Sequence, residues 1–145
     1  MDLDKIFGLF DTPDSDEGKS SQSYEEVIDY YKKHPLYWVG MFKKLIYNHV
    51  LFNDQLLKFF EKIDNDLSSQ DIDKAGEYII FTKSWDYIKK VDPEDRKCQE
   101  ALYHFADLHL KTAIELSINY FQETEEYEKC AHLQKNLEFV KLLLT

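Results

Sequence analysis

The fold is decided by residues 97–145, KCQEALYHFADLHLKTAIELSINYFQETEEYEKCAHLQKNLEFVKLLLT. Its first part carries Cys98, Leu102, Phe105, His109, Thr112, Leu116 and Tyr120 three and four residues apart, and its second carries Tyr127, Ala131, Leu137, Val140 and Leu144. Both stripes have the period of an α-helix. The polar stretch Gln122–Glu125 between them predicts a turn, so the two helices fold back on each other. Immediately upstream, Asp92-Pro93-Glu94-Asp95 combines an acid cap, a proline at the first helical position and acids in the first turn. That is a start signal for one helix running to about Gln122. A last helix then spans Glu125 to Thr145.

Working outward, Ser23-Tyr24-Glu25-Glu26 reads as a capping box, the serine oxygen accepting from the Glu26 N–H. The helix it opens ends at His34-Pro35, because the residue before proline is pushed out of helical geometry. Pro35 suits the first turn of a long second helix. That helix uses Trp38, Phe42, Leu45, Ile46, His49, Phe52, Leu56, Phe59, Phe60 and Ile63, with Asn53-Asp54 as a point where it could bend. Gly40 inside it costs about 1 kcal/mol relative to alanine, which a close helix crossing would explain. Asp64–Ser68 reads as a loop. Ser69 caps a third helix with the stripe Ile72, Ala75, Ile79, Thr82, Trp85 and Ile88, closed by Val91. Tyr78–Thr82 would suit a strand in isolation, but its flanks are helical in pattern.

Glycine and proline number only four and three in 145 residues, which favours a few long helices over many short strands. The expected fold is all-α: a compact bundle of four to five helices with a C-terminal helical hairpin and an N-terminal acidic arm. Residues 1–22 form the arm, a short apolar docking peptide followed by a polar linker. Residues 23–145 form a single α-helical domain, large enough to bury about two thirds of its unfolded surface without disulfides or metals.

The charge is unevenly placed. Residues 1–28 carry eight acids and two lysines (8 − 2, so −6), and residues 29–145 carry twenty acids and sixteen bases (−4), giving the chain total of −10. Seventeen of the eighteen bases are lysines, with Arg96 the single arginine. Specific reading of phosphates and bases leans on arginine forks, so direct nucleic-acid binding is not expected. Met1-Asp2-Leu3-Asp4 is acidic where a signal peptide is basic, and the apolar runs fall short of a membrane span. Cys98 and Cys130 lie on apolar stripes with no CxxC spacing and read as reduced core thiols. A cytoplasmic chain without membrane contact is the expectation.

Catalytic chemistry finds little support. No G-x-S-x-G elbow is present, and Gly8, Gly18, Gly40 and Gly76 are too scattered for a phosphate loop. Glu100, His104 and Asp107 would share a helical face that a divalent metal could use, but a solvated polar face explains them as well. Glu128 and His132 suggest a surface hydrogen bond, and His49 and His109 suggest core histidines. The expected protein is non-enzymatic, with no cofactor, no metal site and no catalytic residue.

Two stretches point instead to a protein partner. Tyr30-Tyr31-Lys32-Lys33-His34-Pro35-Leu36-Tyr37-Trp38 is the densest aromatic run; it reads first as a helix–helix corner of core aromatics, single-stranded bases could stack on it, and Tyr37 and Trp38 also have the character of interface anchors. Leu3, Ile6, Phe7, Leu9 and Phe10 form an apolar peptide among acids, and a helix this short is marginal alone. It would cover its own body or dock on a partner. Leu3, Ile6 and Phe7 resemble the L-x-x-I/L-F peptides that dock into bacterial and phage sliding clamps.

The C-terminal stretch also resembles the UVR motif, a helical hairpin shared by nucleotide-excision-repair subunits and other proteins. Tyr127, Glu128, Cys130, Ala131 and Leu133 stand at the positions of its F-E-x-A-A-x-L string, and Leu137 at the later apolar one. Gln134-Lys135 replace its Arg-Asp. The resemblance implies a protein-contact hairpin in which Tyr127 plugs the turn, Cys130 and Ala131 let the helices approach, and Leu133 packs between them. It does not imply repair activity. The expected function is a protein-binding adaptor or regulator. Abundant Lys, Asn, Ile, Tyr and Phe suit an AT-rich genome, and so a phage-encoded accessory or inhibitor protein. A structural subunit of a virion-like assembly and an acidic DNA mimic are the alternatives.

Overall fold

The structure is a computed structural model that describes residues 17–63 and 69–145, and their side chains except at 17–22, 56–57, 60–63 and 69–73. The peptide from Leu3 to Phe10 and the loop Asp64–Ser68 lie outside the described residues. Six helices and no strand are found among those described: α1 (Glu17–Lys32), α2 (Pro35–Ile63), α3 (Ser69–Ile88), α4 (Arg96–Phe105), α5 (Leu108–Glu123) and α6 (Tyr127–Leu143). The chain is an all-α bundle. α2 lies at its centre, packed against α3, α4 and α5, and α5 and α6 close the C-terminal hairpin.

Several boundaries differ from those the sequence suggests. α1 runs straight through Ser23, so Ser23 is a mid-helix residue and no cap, and the helix crosses the expected boundary at residue 22. Asn53-Asp54 leaves α2 unbroken. At the α4 start, Asp92 accepts from the Glu94 N–H at 3.0 Å and makes a turn, while Asp95 is the true cap, accepting from the Cys98 N–H at 3.1 Å. Pro93 therefore sits in the turn rather than the helix.

The largest departure is the division of the expected fourth helix into α4 and α5. The backbone turns extended at Ala106 (ψ 114°), and Asp107 caps a new helix, its carboxylate accepting from the Leu110 N–H at 2.8 Å. Restarting the helix shifts its phase. The buried face of α5 is Leu110, Ala113, Ile114, Ser117 and Phe121, and His109 and Thr112, expected on the stripe, are exposed.

The core takes Val39, Phe42 and Ile46 from α2, Ile88 and Val91 from the end of α3, Ala101 and Leu102 from α4, and Leu133, Leu137 and Val140 from α6. Buried hydroxyls are satisfied locally: Ser84 donates to the Phe81 carbonyl and Ser117 to that of Ala113. Such bonding avoids the desolvation cost of an unmade hydrogen bond. His132 does not pair with Glu128. Its Nε2 lies 2.8 Å from the Ile88 carbonyl, at the open end of α3, with Trp85 edge-on at 5.4 Å. One turn later, the buried Asn136 donates to the Val91 carbonyl at 3.3 Å.

The α5–α6 turn is a Schellman motif. The Glu126 N–H bonds the Phe121 carbonyl at 2.8 Å and the Glu125 N–H that of Gln122 at 3.1 Å. Glu125 itself is left-handed, at φ 63°. Tyr127 is 64% exposed and does not plug this turn, whereas Phe121 is buried with its ring edge-on to Trp85 at 5.9 Å. Ala131 is also exposed, because the inward face of α6 begins at Cys130 and Leu133. The Cys130 thiol reaches the Ile118 carbonyl at 3.5 Å.

Candidate functional site

Local chemistry at the α1–α2 corner sets one wall of an open groove. The Lys33 and His34 N–H groups bond the carbonyls of Tyr30 and Tyr31, closing α1. The His34 Nδ1 accepts from the Leu36 N–H at 3.1 Å and opens α2. Trp38 donates from its indole nitrogen to the Lys32 carbonyl at 2.8 Å, and Lys90 lies over its ring. Trp38 is thus the clamp of this corner. Tyr37, one residue earlier, points into the groove and meets Tyr87 edge-on at 5.7 Å. Burial, then a hydrogen bond with Tyr37, pushes the Tyr87 phenol above its ordinary pKa.

The groove has a volume of about 600 Å³. Its floor is the α2 face of Leu36, Tyr37, Gly40, Met41, Lys43, Lys44 and Tyr47, spaced so that successive turns line up. Tyr31 closes it at the α1 end, and Phe105 and His109 form the opposite wall from either side of the α4–α5 break. Gly40 is where the two walls meet. A Cβ there would stand 2.9 Å from the Phe105 Cζ, so the glycine lets the aromatic ring rest on the helix backbone. This is the close approach the sequence invites at Gly40. His109 lies edge-on to Tyr47 at 4.7 Å, outside the core where its stripe would have put it.

Lys43 and Asp107 tie the walls together at 2.6 Å, with Lys43 also 5.8 Å from the Phe105 ring centre. Burial alone would raise the Asp107 carboxyl. The hydrogen bond from Lys43, that from the Leu110 N–H and the nearby positive groups outweigh it and hold the carboxyl below its ordinary pKa. Because Asp107 leaves α4 to cap α5, it no longer shares a helical face with Glu100 and His104. Among the described residues no group of three or more His, Cys, Asp or Glu is placed to hold a metal ion.

The residues lining the groove include three tyrosines, a phenylalanine, a methionine, two lysines and a histidine, and no carboxylate. In a chain of net charge −10, Lys43 is paired with Asp107 and Lys44 lies outside that ion pair. Such a surface can bury an apolar anchor and complement carboxylates beside it. Of the residues singled out by sequence, Tyr37 lines the groove and Trp38 supports it. Cys130 and Leu133 are in the hairpin, away from it. Lys43, Lys44, Tyr47 and Phe105 join the groove without having been flagged. The α2 members could have been found from their shared face with Tyr37; Phe105 could not, since it depends on the break at Asp107.

These features define an all-α bundle with an aromatic, lysine-bearing groove across its central helix. Among the described residues no helix is long and apolar enough to cross a membrane. Comparison with protein-family models, with curated proteins and with solved structures finds no match.

Proposed function

We propose that the chain is a non-enzymatic protein-binding adaptor or regulator whose body contacts its partner through the Tyr31–His109 groove. The observation that carries this reading is the groove's chemistry: aromatic walls with two lysines, Lys43 paired with Asp107 and Lys44 outside that pair, on an acidic chain. The partner segment it suits has apolar side chains for the aromatic walls and acids for the lysines. Aromatic anchors of this kind dominate binding energy when they are desolvated at the centre of an interface. The composition that suits an AT-rich genome supports a phage-encoded accessory protein as the setting, and the UVR-like string at Tyr127–Leu133 supports a contact role for the hairpin as well.

Capture tests the reading. Immobilised full-length chain, wild type and Lys44→Glu/Tyr47→Ala, is exposed to lysate, and the bound protein is identified and purified. Both substituted side chains are at the surface, so the fold is retained. The wild type holds the purified partner and the variant loses it. Equal binding by both would overturn the groove's role.

A second reading, a subunit of a larger assembly, is favoured by exposed apolar side chains on α2 and α3: Val50, Leu51, Phe52, Phe59, Tyr78 and Ile79. Where such side chains join in one patch they mark an interface. Native mass measurement across protein concentrations separates the two readings. A closed oligomer favours assembly, and a monomer throughout removes it.

A further inference from the structure

The groove and residues 1–11, MDLDKIFGLFD, are chemical complements. Residues 1–16 hold five acids and one lysine (5 − 1, so −4), and their apolar side chains are Leu3, Ile6, Phe7, Leu9 and Phe10. The groove offers Lys44 and His109 among Tyr31, Tyr47 and Phe105, with Lys43 beside them engaged by Asp107 at 2.6 Å. The pairing is of both kinds at once: apolar against aromatic, acid against base.

Reach permits the pairing within one molecule. α1 begins at Glu17 and its Tyr31 lines the groove. Along the helix those two residues are about 21 Å apart, at 1.5 Å per residue. An extended chain covers about 3.3 Å per residue, so Phe10 reaches about 23 Å from Glu17 and Phe7 about 33 Å. Whatever direction α1 takes, Phe10 can return to the Tyr31 end and Phe7 can pass about 10 Å beyond it, toward Tyr47 and His109. A tether this short also holds the peptide at an effective concentration on the order of millimolar.

We propose that residues 1–11 occupy the Tyr31–His109 groove of their own chain, so that a partner gains the groove by displacing them. The proposal rests on the groove being the peptide-binding surface described above. It makes the apolar peptide a built-in competitor that sets a threshold for partner binding. A weak intramolecular contact suffices, because the fraction of open grooves scales the partner's apparent affinity.

The test uses the full chain as wild type and as Phe7→Ala/Phe10→Ala, observed by NMR at the Met41 methyl and the Tyr47 and His109 rings. A synthetic peptide of residues 1–11 is then titrated into each. The groove signals of the variant should differ from those of the wild type. Added peptide should return them toward wild-type positions, while the wild type responds at least about ten-fold more weakly because its groove is filled. Identical groove signals in both proteins, with the peptide moving both equally, would overturn occupation in cis and leave the groove a peptide site. Signals that move in neither protein would also overturn it, and capture by wild type but not Lys44→Glu/Tyr47→Ala would show that the groove still binds another partner. A wild-type pattern that appears only as protein concentration rises would assign the peptide to a second copy and refute the intramolecular form.

Discussion

Replacing Asp107 asks how much of the α4–α5 corner one side chain holds. Asp107→Ala removes the cap on the Leu110 N–H, which stabilises by about 1 kcal/mol. It also removes the ion pair with Lys43, whose partners are 23% and 42% exposed. Exposure and solvent screening keep such a pair to about 0.5 kcal/mol. The expected loss is about 1.5 kcal/mol, or about 5 °C in Tm for a chain of this size. Asp107→Asn keeps an oxygen for the cap and loses only the charge, so it should cost about 0.5 kcal/mol. The pH dependence follows from the lowered carboxyl pKa. A carboxyl depressed by folding contributes stability above its unfolded pKa, and that contribution is lost as pH falls through the folded one. The gap between wild type and Asp107→Asn should therefore be full at neutral pH and close in acid. Urea unfolding followed by circular dichroism at pH 7 and at acid pH measures both. The reasoning fails if Asn costs as much as Ala at pH 7, or if the wild-type advantage over Asn is unchanged in acid.

Three further outcomes are expected. Glu125→Gly should raise stability by about 1 kcal/mol, because glycine carries no penalty in the left-handed position that Glu125 occupies at φ 63°; a lower Tm by calorimetry would contradict the Schellman assignment. Gly40→Ala gains about 1 kcal/mol of helix propensity but pushes on the Phe105 Cζ at 2.9 Å, so it should stabilise Phe105→Leu more than it stabilises the wild type. Equal effects in a double-mutant cycle would mean that the ring does not need the glycine. Cys98 is buried and Cys130 half-buried, and burial raises both thiols above their ordinary pKa. Maleimide labelling of native protein, mapped by mass spectrometry, should therefore mark Cys130 first and Cys98 only as the chain unfolds. Labelling of Cys98 at the Cys130 rate would place it at the surface.

Much of the architecture is legible locally. His34-Pro35 separates α1 from α2 and Gln122–Glu125 marks the hairpin turn to within a residue or two, but the stripe read for α3 is not its buried face: Ala75, Ile79 and Thr82 are exposed, while Phe81, Ser84 and Ile88 are buried. What escapes is decided by distant contacts. Phe105-Ala106-Asp107-Leu108 contains neither glycine nor proline and continues the spacing of a single helix. Asp107 becomes a cap where Lys43, 64 residues earlier in the chain, reaches it across the bundle. Once the helix restarts, every later phase on α5 moves, which is why His109 leaves the core and faces Tyr47. The groove inherits this difficulty. Its α2 floor has a readable spacing from Tyr37 to Tyr47, but its far wall exists because of the break. Tyr127 faces outward for a local reason: the chain reverses through the left-handed Glu125, and the inward face of α6 starts later, at Cys130 and Leu133.

The account stands on the groove as the contact surface. Benzoylphenylalanine placed at Tyr47 in the full chain, and separately at the exposed Tyr127 on the hairpin for comparison, tests it by photocrosslinking in the presence of the captured partner. The expected products come from position 47, joined to the partner or, without it, to residues 1–11 of the same chain. Crosslinks to the partner from position 127 alone, with none from position 47, would contradict it.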